Sequence, residues 1–154
     1  MKSIAELLEQ HPFLRGLAPQ AIRFIAGCAK NERYEAGQYI FREGEPADWF
    51  HLVREGTVSL EAHVPGRGPV SFLTVKAGEI LGAAWIAPPY RWLNDARALE
   101  VTRTTAFDAA CLRAKCESDP ALGYELMKRF LPPLIERLQA ARLQALDVYG
   151  KRER

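Results

Sequence analysis

From Arg33 onward the sequence breaks into short apolar runs separated by glycine, and this punctuation limits the fold more than any other feature of the chain. Tyr34, Ile40, Phe41, Trp49, Phe50, Leu52, Val53, Val58, Leu60, Ala62 and Val64 supply the runs. Gly37, Gly44 with Pro46, Gly56, Gly66-Arg67-Gly68 and Gly78 interrupt them at fairly even intervals. Aromatic and β-branched runs between glycine turns predict a sheet that closes into a sandwich or barrel. Thr57 to Val64 alternates with period two, as a half-buried strand should. Pro65-Gly66-Arg67-Gly68-Pro69 predicts a hairpin loop, with Val70 to Val75 returning from it.

The flanks read as helix. Ile4, Leu7 and Leu8 recur at helical spacing behind Ser3, a candidate N-cap with Glu6 three residues on. His11-Pro12 interrupts this helix, and Pro19 opens a second with Ile22, Phe24, Ile25 and Cys28 as its apolar positions. Gly78 to Asp95 does not alternate. It predicts a short helical turn at Gly82-Ala83-Ala84-Trp85, then a loop through Pro88-Pro89-Tyr90-Arg91-Trp92. Strands are expected around Ala96 to Thr102 and Thr104 to Asp108, then a short helix from Ala109 to Cys116. Ser118-Asp119-Pro120 restarts a long helix, a capping side chain followed by proline at the first turn, and Gly150 predicts its end. Pro132-Pro133 inside it predicts a kink or break, because proline removes an internal hydrogen bond and clashes with the preceding turn.

At 154 residues the chain is long enough for one domain with a real core, and 48% hydrophobic against 26% charged residues argues against global disorder. A net charge of +2 is too small to point to nucleic acid, and the short basic tail of Lys151, Arg152 and Arg154 reads as solvated. The start is acidic and amphipathic, unlike a signal peptide, and no apolar run reaches the roughly 20 residues a bilayer span needs. Cys28, Cys111 and Cys116 are odd in number and unpatterned, which predicts a reducing cytoplasm and no disulfide framework.

Motifs for catalysis are absent. There is no Gly-x-Ser-x-Gly elbow and no Gly-Lys-Ser/Thr phosphate loop, and the carboxylates are scattered. His11, His51 and His63 lack the spacing of a metal site, and Cys111 and Cys116, five apart, point to different faces of one helix. The chain is read as a binding module without enzyme activity or metal.

The order of helices, glycine-punctuated roll, inserted loop and long helix resembles the cyclic-nucleotide-binding domain of the catabolite activator protein and related regulators. Gly37 to Pro46 resembles that family's opening hairpin, Trp49 to Val58 its next strand and turn, and Gly78-Glu79-Ile80-Leu81-Gly82 the approach to its phosphate-binding cassette. The resemblance implies one domain over residues 1–154: N-terminal helices over 1–30, a roll over 31–108 with the cassette at 78–95, and C-terminal helices over 109–150. The fold class it implies is mainly β, a double-stranded β-helix or jelly roll of about eight strands, with short N-terminal helices and a long kinked C-terminal helix. In such a cassette, free backbone N–H groups at a helix start receive the phosphate.

The sequence departs from the family at the site. Ala83 stands where the family has a glutamate for the ribose hydroxyl. The family's phosphate arginine aligns near Trp92, with Arg91 one residue earlier. Ala141 and Arg142 occupy the long-helix positions that approach the base, where the catabolite activator has small hydroxyl residues. Each lost hydrogen-bonding partner costs on the order of 1–3 kcal/mol, so ordinary cyclic AMP binding is expected to be weakened. Gly82, Ala83, Ala84, Trp85, Arg91, Trp92, Arg97 and Arg142 are the candidate ligand residues. Two readings stay open for the tryptophans: an altered pocket with Arg91 gripping phosphate, or a plug. Arg97 reads more readily as a structural ion-pair residue. Leu131, Leu134, Leu138, Ala141, Ala145 and Val148 follow a three–four spacing that suits a homodimer seam or docking on a larger partner.

Transcription factors of the family continue into a helix-turn-helix domain, for which the five residues after Tyr149 leave no room. The resemblance therefore implies a standalone regulatory module. Its ligand would be a cyclic nucleotide or, in the other reading, a nicotinamide dinucleotide. In that second reading the chain is an accessory subunit of a larger cytoplasmic enzyme, such as a soluble NAD-reducing hydrogenase, with or without a ligand.

Overall fold

Ser3 caps the first helix as its position predicts: its Oγ accepts from the Glu6 N–H at 3.2 Å, and α1 runs Ile4–Gln10. A single 3-10 turn at Pro12–Leu14 follows, capped by His11, whose Nδ1 accepts from the Phe13 N–H. α2, Pro19–Ala26, starts on proline and buries Ile22 and Ile25. These features come from a computed structural model, which describes residues 1–152.

The roll consists of β1 (Ala29–Tyr34), β2 (Tyr39–Phe41), β3 (Trp49–Glu55), β4 (Thr57–Val64), β5 (Gly68–Lys76), β6 (Asp95–Ala98) and β7 (Thr102–Asp108). They form two antiparallel sheets, ordered β1-β7-β3 and β2-β6-β4-β5. Seven strands and two isolated bridges, Pro46 with Arg91 and Leu52 with Ile80, come close to the eight expected for a jelly roll. Glycine decides the tight turn between β3 and β4. Gly56 has φ +93°, and a Cβ there would lie 2.6 Å from the Val101 carbonyl, so no side chain fits.

The core lies between the sheets and beneath the last helices. Phe50 is its centre, with ring centroids 5.2 Å from Trp85, 5.7 Å from Phe107 and 4.9 Å from Phe130. Edge and offset contacts of this kind add to the area each ring removes from water. α3 (Ala109–Ser118) leaves β7 through an Asp108 cap, and α4 (Pro120–Arg152) lays Leu122, Leu126 and Phe130 into the core.

Three expectations are corrected here. Cys28 and Cys111 form a disulfide. They are 83 residues apart in sequence, but the antiparallel register sets Ala29 opposite Phe107, and the Asp108 N–H donates to the Cys28 carbonyl at 2.8 Å. Strand pairing, together with the start of α3 directly after β7, thus brings them together, and the cysteine argument for a reducing compartment falls away. Gly150 does not end α4, which continues to Arg152; glycine lowers helix propensity without stopping a helix. Of the kink or break expected at Pro132-Pro133, the break is absent, since α4 continues through both as one element. The two prolines remove only two internal N–H donors, while Phe130 before them and Leu134 after them are held against the core. Arg154 of the basic tail lies outside the described residues.

The histidines are apart from one another in role. His11 is buried, and with Nδ1 accepting, its Nε2 carries the proton and donates to the Val53 carbonyl at 2.9 Å. Burial, reinforced by Arg54, holds it below the usual histidine range although the Val53 bond pulls the other way. His51 is buried beside Phe41 and Tyr34, and burial together with nearby Lys30 lowers its pKa to about 4. His63 is exposed. Among the described residues no cluster of His, Cys, Asp or Glu could hold a metal ion, and no helix is long and apolar enough to cross a membrane.

Candidate functional site

The inserted segment between β5 and β6 leaves the roll at Ile80 and Leu81, which are buried, and turns back under α4. The Leu81 N–H donates to the His51 carbonyl at 3.2 Å and fixes where the turn begins. The Ile86 N–H then donates to the Ala83 carbonyl at 3.2 Å, giving one helix-like turn instead of a helix. Among the described residues, no backbone carbonyl accepts from the N–H groups of Gly82, Ala83 or Ala84. Unbonded N–H groups are what helix starts and nests offer to anions.

A cavity of about 290 Å³ opens against this turn. Gly82, Ala83 and Ala84 form one wall, Leu60, Phe72 and Leu73 of β4 and β5 another, and Trp92, Leu93 and Asn94 a third. α4 closes it with Leu134, Arg137, Ala140, Ala141 and Gln144. Trp92 is held rigidly, stacked on Phe41 at 3.7 Å with the rings 5° apart. Gly82 permits its close approach: a Cβ there would meet the Trp92 ring at 3.2 Å.

The residues expected at the site separate into two groups. Gly82, Ala83, Ala84 and Trp92 line the cavity, together with Leu134 and Ala141 of the helix stripe. Trp85 does not; it is fully buried between Phe50 and Phe130, its Nε1 has no hydrogen-bond partner, and its carbonyl accepts from Arg113. Arg91 is exposed and donates to the Gly44 carbonyl at 2.8 Å, bracing the loop that carries Trp92. Arg97 lies on β6 and pairs with buried Glu61 at 2.7 Å. That bond holds the Glu61 carboxyl below the usual carboxylate range. Arg142 is exposed on α4 and is not among the lining residues.

Arg137 is the site residue that sequence reasoning passed over. Its guanidinium reaches from α4 to the carbonyls of Ile80 and Leu81, so it joins the helix to the start of the turn. It is half-buried, and burial lowers its pKa, partly offset by Glu79 and Glu136. The signal was present: Leu134, Arg137, Ala141 and Gln144 share one helix face at three–four spacing, and two of the four were already assigned to the stripe.

The helix stripe itself divides. Leu134 and Ala141 face the cavity. Leu131, Leu138, Ala145 and Val148 are exposed, as are Ile135, Leu146 and Tyr149.

Comparison with known proteins agrees with this geometry. The chain matches the family model of the cyclic nucleotide-binding domain over residues 31–119. It is 30% identical over 135 residues to the cAMP-dependent protein kinase regulatory subunit of Eremothecium gossypii, covering 87% of this chain and 25% of that protein. It is 32% identical over 59 residues to human cGMP-dependent protein kinase 2, covering 38% of this chain and 8% of the kinase. The chain thus spans a quarter or less of the length of these two relatives. Among solved structures, a putative cyclic nucleotide-binding protein from Geobacter metallireducens superposes with a TM-score of 0.79 at 29% identity, over 90% of this chain and 99% of that one. The catabolite activator protein of Thermus thermophilus, at 24% identity, shares the fold with a TM-score of 0.70 over 90% of this chain and 63% of that one. A roll of this topology, with a ligand-sized cavity between its inserted turn and a long C-terminal helix, and a family match over most of the roll, places the chain in the cyclic nucleotide-binding domain family as a regulatory-type module.

Proposed function

We propose that this chain is a regulatory module whose altered phosphate cassette receives an anionic ligand and passes the event to α4. The observation that carries the reading is the shared cavity: Gly82 to Ala84, whose N–H groups are taken by no backbone carbonyl among the described residues, form one wall and α4 another. A ligand there touches roll and helix together. It therefore shifts their balance by the difference in its affinity for the two arrangements. Ala83 offers no acceptor for a ribose hydroxyl, and Arg91 and Arg97 are engaged elsewhere, so cyclic nucleotides bind weakly. A dinucleotide has still more polar surface to satisfy in a cavity whose walls are largely apolar.

The exposed stripe of Leu131, Ile135, Leu138 and Leu146 is the output surface, pairing with a second copy of the helix. Calorimetric titration of the full chain with cyclic AMP, cyclic GMP, NADH and NADPH, together with the amphipathic anion described below, tests the ligand reading. The expected result is cyclic-nucleotide binding no tighter than high micromolar, and none with the dinucleotides. If no anion binds below millimolar, the sensor reading gives way to docking on a larger protein. Light scattering tests the output surface. A dimer that Leu138→Glu converts to a monomer is expected, and a wild-type monomer at high concentration contradicts it.

A further inference from the structure

We propose that the cavity beneath α4 takes a small amphipathic monoanion, an apolar body with one carboxylate received by Arg137, in preference to a ribose phosphate. This rests on the reading above that an anion enters between the Gly82–Ala84 turn and α4.

The walls set the body of the ligand. Leu60, Leu73, Leu81, Trp92, Leu93 and Leu134 surround the space. Removing an apolar surface from water into such a site is favourable at roughly 25 cal/mol per Å². A ribose would bring hydroxyl groups that need acceptors, and no carboxylate lines the cavity among the described residues. Besides the backbone of the turn and the Trp92 indole, the other polar groups are the side-chain amides of Asn94 and Gln144, and Asn94 already donates to the Asp95 carbonyl at 2.9 Å.

Arg137 sets the head group. It is the only charged side chain among the described residues that line the cavity. A guanidinium has about five N–H donors. The Ile80 and Leu81 carbonyls take one each, which leaves about three without an acceptor among the described residues. No carboxylate pairs with it within salt-bridge distance among the described residues. Arg97, by contrast, meets Glu61 through three hydrogen bonds and needs no further partner. Glu79 and Glu136 act on it only at longer range, and its hydrogen bonds go to neutral carbonyls; an anion completes such a half-buried cation, and the planar fork of arginine suits the two oxygens of a carboxylate. Because the same guanidinium already holds α4 to residues 80–81, a bound carboxylate acts directly on the joint between helix and roll.

Calorimetric titration of the full chain with sodium octanoate, neutral octanamide and cyclic AMP tests the assignment. Octanoate is expected to bind at least about tenfold more tightly than either of the others. Arg137→Met should reduce octanoate to the level of octanamide, and Arg137→Lys should keep part of the difference. Ala141→Trp fills the cavity from an exposed helix position; it should abolish binding of both octyl probes while circular dichroism stays unchanged. Equal binding of octanoate and octanamide, or octanoate binding that survives both Arg137→Met and Ala141→Trp, overturns the proposal. Cyclic AMP binding more tightly than octanoate also overturns it, yet leaves the regulatory-ligand reading in place. Binding by none of the probes removes both.

Discussion

Phe130 and Leu138 lie about two turns apart on α4, yet the first is 3% exposed and the second 62%. Leu122, Leu126 and Phe130 are buried in the first part of the helix, where Phe13, Phe50 and Trp85 lie beneath it. Further along, Leu138, Leu143, Leu146, Val148 and Tyr149 are as apolar but remain in solvent. Burial here follows from what lies underneath. The early turns are part of the domain's core, while the later turns carry apolar surface beyond what folding of this chain uses. In the function proposed above, this surplus is the output surface. Arg137 sits at the changeover, fixed to the roll at Ile80 and Leu81, so the ligand proposed for the cavity would act where core helix becomes free helix.

Truncation gives the largest contrast. Phe130→Ala should destabilise the fold by about 3–5 kcal/mol in denaturant unfolding, as removal of a buried aromatic does. Leu146→Ala should change it by less than about 0.5 kcal/mol. Similar costs at the two sites would mean that the distal helix also rests on a core. The disulfide comes next. It fastens α3 to the turn between α2 and β1, on the core side of this division. Reduction, or the Cys28→Ser and Cys111→Ser pair, should lower stability by about 2–4 kcal/mol through the loop of 83 residues it closes. A melting temperature that does not move on reduction would show that the bond adds nothing in solution.

Acid should also weaken the core side first. His51 is neutral when folded, with a pKa of about 4 against the ordinary 6.5. Its contribution is therefore present above about pH 6.5 and is lost as pH falls towards 4, because the unfolded chain takes up a proton that the folded chain resists. The loss by pH 5 is about 2 kcal/mol. His11, also depressed by burial, acts in the same direction. His51→Leu should flatten the decline between pH 6.5 and 5, and an unaltered slope would assign it to other groups.

How much of this was legible in sequence depended on the range of the forces involved. Ser3, Pro19 and the Asp119-Pro120 restart act within one turn of chain, and they mark helix starts where the sequence placed them. The glycines of the roll were equally plain, because a positive φ or a close approach leaves few alternatives at Gly56 and Gly82. The cavity was legible in part. Its turn and Trp92 could be located, and Arg97 could be read as an ion-pair residue without its partner, but Arg91 and Trp85 could not be assigned. Each of their partners, Gly44, Glu61 and Phe50, lies more than 30 residues away. Arg137 was hidden for the same reason, since its acceptors are backbone carbonyls 56 and 57 residues earlier.

By itself the sequence determined the class of fold, the order of its elements, the turns that permit a roll, and the absence of an acidic residue at position 83. Those properties reside in single residues and their near neighbours. Only the tertiary structure decided which arginine meets the cavity, that Trp85 belongs to the core, that Cys28 meets Cys111, and where along α4 burial stops. Such outcomes require two distant segments to arrive at one place, and strand register and helix docking, summed over the whole domain, set that meeting.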